Sequence, residues 1–187
     1  MNNAQFPFSR PALRCCLLVA VILFSAVGCQ SATDRRREFV KRYYAEDFSL
    51  FRNTHVFIRG KDNDGNWVVI VMCRMLDAVG PSTDPTAVVS VSAATNSIIR
   101  IDNRENTMQC VPGVDSAALA KIVRRFLSYK VTSITADANG NISFGFRSRE
   151  FGSPDLTRVK DSTQFKPYFW HDYTQVQGPW YERKADN

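Results

Sequence analysis

The segment Ile134 to Phe144, ITADANGNISF, admits one strand register. Ile134 and Ala136 alternate with polar neighbours, as do Ile142 and Phe144, which is the period of a strand with one buried face. Neighbouring strand residues point to opposite faces, so placing both apolar pairs on one core fixes the parity of the turn between them. A two-residue turn at Asn139 and Gly140 would set the pairs on opposite faces. The three-residue loop Ala138, Asn139, Gly140 brings them together and puts Gly140 where φ is positive. The chain therefore doubles back in a hairpin, the unit of an antiparallel sheet.

Upstream, Pro112 and Gly113 stop the preceding strands. Asp115 or Ser116 caps a helix to about Lys130, with Leu119, Ile122, Val123 and Phe126 inward and Lys121, Arg124 and Arg125 outward. Val89 and Val91 alternate with serines, and Ile99 and Ile101 with Arg100 and Asp102. A shared core face sets Val91 opposite Ile99 across Ala94, Thr95 and Asn96, with Asn96 left-handed. Between His55 and Leu76, the runs HVFIR and WVVIVMCRML flank Asp62 to Gly65. That is a hairpin whose second strand, apolar from Trp67 to Met72, calls for cover on both faces. The Asp62 to Gly65 stretch does not follow the calcium-loop order and is read as a turn.

Further upstream, Thr33 or Asp34 caps an amphipathic helix to about Asp47, with Phe39, Val40, Tyr43 and Tyr44 on one side. Its basic cluster, Arg35 to Arg42, reads as a solvated face or as an attraction for anionic headgroups. Downstream of Phe151 the period is lost, until aromatic residues gather between Phe165 and Tyr181. Trp170, Tyr173, Trp180 and Tyr181 are the candidate binding surface; the same residues also suit a last edge strand docked on the core. Gly178 and Pro179 are expected to end that strand. The expected fold is α+β: an antiparallel sheet of about six strands with two helices packed on one face.

The composition, 44% apolar and 22% charged, is that of a packed domain rather than a disordered chain or a polytopic membrane protein. The formal charge of +6 shrinks when divided. Removing Arg10 and Arg14 leaves 22 basic against 18 acidic residues, too small an excess to imply nucleic acid. The only histidines are His55 and His171. No GxSxG, HExxH, Walker or GxGxxG motif occurs, so no catalytic residue, metal or cofactor is assigned.

Arg10 and Arg14 precede CCLLVAVILFSAV (Cys15 to Val27), 13 apolar or small residues, the length of a signal-peptide core. A spanning helix needs about 20. The run ends in Ala26, Val27, Gly28, Cys29, which resembles the lipobox of bacterial lipoproteins. The resemblance covers residues 1–29, and Ala26 stands where leucine is most common. It implies that residues 1–28 are a signal peptide removed on export, that Cys29 carries lipid, and that 29–33 is a tether before one globular domain, 34–187. Gln30 is not the aspartate that retains enteric lipoproteins at the inner membrane, so the periplasmic face of the outer membrane is the expected location. Cys15 and Cys16 leave with the signal, and Cys73 and Cys110 remain as a possible disulfide or as free thiols. A bridge would stabilise the fold by roughly 4 kcal/mol in the chain-entropy picture.

The functional expectation is a membrane-anchored envelope lipoprotein with a non-catalytic domain that binds an envelope protein. A small hydrolase using His171 and carboxylates, and an inhibitor or immunity-type lipoprotein, are the alternatives.

Overall fold

The computed structural model describes residues 32–73, 87–103, 115–146, 155–164 and 171–184. Contacts divide the chain into Met1–Phe39 and Val40–Asn187. In the first unit the described residues open helix α1 (Ala32–Tyr43), with Asp34 in its first turn, where a carboxylate favours the positive end of the helix. The helix ends at Tyr43 rather than near Asp47. Asp47 bonds locally instead: its carboxylate accepts from Ser49 N and Ser49 Oγ, both at 2.9 Å, and so opens the 3-10 turn Ser49–Phe51. An aspartate bonded two residues ahead competes with helix continuation.

The second unit is built on nine strands in one sheet: β1 (Thr54–Lys61), β2 (Trp67–Cys73), β3 (Ala87–Val91), β4 (Ile98–Asn103), β5 (Ser133–Ala136), β6 (Ile142–Gly145), β7 (Leu156–Arg158), β8 (Tyr173–Gln177) and β9 (Trp180–Arg183). Their order is β4-β3-β2-β1-β5-β6-β7-β9-β8, and every pairing is antiparallel. Helix α2 (Ser116–Ser128) makes the return from edge strand β4 to β5, which lies beside β1. The α+β class holds, with nine strands instead of about six. The additional strands are β7, β8 and β9, which are short or polar and carry no clear alternation.

Most hairpins follow their local chemistry. Asp62 Oδ1 accepts from Asp64 N at 3.0 Å and Asn66 N at 2.8 Å, and Gly65 has φ +79°, which closes the β1–β2 turn. Ile134 pairs with Phe144 and Ala136 with Ile142, around Gly140 at φ +85°. The β3–β4 register departs from expectation. Val91 meets Ile98, because a bulge after Ser90 inserts Ile99 as the extra residue and leaves it 56% exposed. Asn96 is left-handed, with φ +54°.

Cross-strand pairing puts Val56, Val69, Val71, Val89, Ile134, Ile142, Phe144 and Leu156 on one face, all essentially buried. Ile70, on the other face of β2, is also buried, so its central residues are covered on both sides. Helix α2 is capped by Asp115, whose Oδ1 accepts from Ala118 N at 2.8 Å, and buries Leu119, Ile122, Val123 and Phe126. At its end the Tyr129 ring meets Tyr43 edge-on at 4.9 Å and also contacts Phe48, Phe51 and Phe144. No helix among the described residues is long and apolar enough to cross a membrane.

Candidate functional site

A notch of about 320 Å³ opens between the segment after α1, the β5–β6 loop and the end of β7. That volume is at the small end of ligand pockets. Ala136, Ile142 and Phe48 supply its apolar lining, and Glu46, Asp47, Arg52, Arg158 and Lys160 its charges.

Arg158 is the most constrained of these cations. Its neighbours across the sheet are Ile142 on β6 and Trp180 on β9, so a guanidinium sits between two apolar cross-strand partners. Its central carbon lies 5.8 Å from the Phe48 ring centroid and 5.9 Å from that of Trp180. Its Nη1 donates to the Glu46 carbonyl at 2.8 Å. Two ring faces and one carbonyl fix the planar group before any ligand arrives, and a guanidinium carries five donors.

Lys160 is placed by a buried polar network. Asp137 Oδ1 accepts from Asn139 N and Asn141 N, both at 2.9 Å, and Asp137 Oδ2 accepts from Asn141 Nδ2 at 2.8 Å. Asn141 Oδ1 then accepts from Lys160 N at 2.8 Å and Asp161 N at 2.9 Å. Asp137 and Asn141 are buried, as groups with saturated hydrogen bonds can be. The Lys160 stem lies over Gly140, where a Cβ would come within 3.1 Å of its Cδ.

The two acids have defined partners. Glu46 Oε1 pairs with Arg125 Nη2 and accepts from the Tyr129 hydroxyl at 3.1 Å, while Arg125 Nε donates to that hydroxyl at 3.0 Å. Burial and then the Glu46 charge raise the Tyr129 pKa above the ordinary phenol value. Asp47 is held below the usual carboxylate range by its two bonds from Ser49, with smaller help from the charges of Lys160 and Arg158. A carboxyl so held is ionised at neutral pH and has no proton to give.

The aromatic residues singled out in the sequence serve differently from a surface. Trp180 is wholly buried, stacked on Phe144 at 5.8 Å, and Tyr173 is 7% exposed. Both belong to the core, because β8 and β9 form a hairpin that docks on β7. Gly178 and Pro179, expected to end the strand, are its turn, with Gly178 at φ +51°. Tyr181 is half-buried against Tyr173 and Val159. His171 is exposed, helical rather than extended, and does not line the notch. Cys29, Cys110 and Trp170 lie outside the described residues. Cys73 ends β2 opposite Thr54, and its side chain is also outside them.

Glu46, Asp47, Arg52, Arg158 and Lys160 carried no signal in the sequence, being split between two segments about a hundred residues apart. Among the described residues no group of three or more His, Cys, Asp or Glu side chains gathers as a metal site. Comparison with family models, with curated proteins and with solved structures returns no match for this chain.

Proposed function

We propose that the chain is an exported lipoprotein of the bacterial envelope, anchored through lipid on Cys29, whose folded part binds a partner or ligand rather than catalysing a reaction. The anchor is supported by one sequence observation: a 13-residue apolar run ending in Ala26, Val27, Gly28 and Cys29. Helix α1 begins at Ala32, three positions after that cysteine, so acyl chains at Cys29 would keep the folded part near the bilayer. Two or three acyl chains give stable attachment, at about 0.8 kcal/mol per buried CH₂.

Binding is supported by the state of the notch. Its best-placed cation is fixed by ring faces, and its acids are engaged as acceptors. Such an arrangement recognises charge without moving a proton. Labelled palmitate and detergent phase separation test the anchor. The wild-type protein should take up label and enter the detergent phase, and Cys29→Ser should do neither. Unchanged labelling and partitioning of Cys29→Ser would overturn the proposal.

A further inference from the structure

We infer that the notch between Asp47, Gly140, Arg158 and Lys160 is a binding site for a phosphate monoester dianion. This rests on the reading of the folded part as a binding module and is independent of the lipid.

Charge selects the class of ligand. Arg52, Arg158 and Lys160 line the notch as cations, and Glu46 and Asp47 as anions. Glu46 is matched by Arg125, which is not among the lining residues. Three cations then face one carboxylate, an excess of two positive charges. A phosphate monoester carries about −1.5 to −2 at neutral pH and three acceptor oxygens, which matches that excess in sign and size.

Geometry favours a phosphoryl group over a diffuse anion. Arg158 is pre-ordered, with one donor spent on Glu46 O, so binding need not immobilise it. Lys160 is brought to the rim by Asn141, and Gly140 clears the space for its stem. Ile142, Ala136 and Phe48 give the notch a partly apolar lining, which strengthens the charge interactions inside it. The organic part of the ester can lie on that lining. A bound phosphoryl group takes donors from the fixed Arg158 and from the exposed Lys160 and Arg52, and Asp47 opposes it.

The test uses the full-length protein in neutral detergent, titrated calorimetrically with inorganic phosphate and then glycerol 3-phosphate. The source is separated by a second arm, in which the unlipidated Cys29→Ser protein, free of the acyl anchor, is floated with phosphatidylcholine vesicles with or without phosphatidic acid. Saturable binding of soluble phosphate with a Kd below about 1 mM supports a soluble ligand. Binding confined to the phosphatidic acid vesicles supports a lipid headgroup with the same phosphoryl chemistry. In either arm Arg158→Gln and Lys160→Gln should each weaken binding on the order of tenfold. Asp47→Asn should tighten it. Lys160→Gln changes an exposed side chain and keeps the test valid if Arg158→Gln fails to fold. Absence of saturable binding in both arms, or equal binding by Lys160→Gln and wild type, overturns the inference. Cys29→Ser, run in the soluble arm, should bind phosphate as wild type does. A lipidated wild-type protein that ignores phosphate thus counts against the site alone, and a wild-type protein that binds phosphate but carries no lipid counts against the anchor alone.

Discussion

Arg158 and Trp180 are direct cross-strand partners on β7 and β9, with the guanidinium carbon 5.9 Å from the indole centroid. The pair joins the core to the notch, because Trp180 is wholly buried while Arg158 lines the opening. Arg158 therefore both packs on the core and lines the notch.

Replacing Trp180 by Ala should cost about 3–5 kcal/mol, the usual range for a large buried aromatic. Loss of its stack on Phe144 and its face on Arg158 both contribute. Equilibrium denaturation in urea checks this; a loss below about 1 kcal/mol would place Trp180 outside the cooperative core.

Asn141→Ala should cost about 2–4 kcal/mol, because it strips the shared acceptor from Lys160 N and Asp161 N. It also removes the Nδ2 donor to Asp137. Amide exchange at residues 160 and 161 should quicken more than exchange in β1 and β2. Uniform quickening would contradict a local role.

Glu46→Gln should cost less than about 1 kcal/mol despite the contact with Arg125 and Tyr129, since the pair is partly exposed. Thermal unfolding at low and high salt checks this: the gap between variant and wild type should narrow with salt.

The Tyr173 phenol is pushed up to about 12, chiefly by burial. An unfolded tyrosine titrates near about 10, so the folded state holds this proton more tightly. Its contribution to stability is fully present below about pH 10 and is lost as the pH rises toward about 12. Phenolate absorbance should show a late-titrating tyrosine, and Tyr173→Phe should lessen the alkaline loss of stability. Equal alkaline loss in variant and wild type would rule this out. Tyr129 is also raised and accounts for part of the fall.

What could be read in the sequence followed from short-range rules. Parity set Ile134 and Ala136 against Phe144 and Ile142, and the apolar stripe of α2 placed Leu119, Ile122, Val123 and Phe126 inward. The β3–β4 bulge escaped, because Ile98 and Ile99 are both apolar and regular alternation from Ile101 selects Ile99, whereas the inserted residue breaks the alternation and gives Ile98 the place opposite Val91. Strand β8, Tyr-Thr-Gln-Val-Gln, has too few apolar residues for a period, and a Gly-Pro pair reads equally as a stop and as a turn. The notch was invisible for a different reason. Glu46 meets Arg125 79 residues away and bonds Arg158 112 residues away, contacts that only the completed sheet creates.

Lipidation at Cys29 remains the central claim, and the intact mass of protein extracted from native membranes tests it most directly. The account predicts a species that lacks residues 1–28 and carries the added mass of a diacylglyceryl group with or without an amide-linked acyl chain. The full 21.2 kDa chain, or a cleaved chain with an unmodified thiol at Cys29, would contradict it.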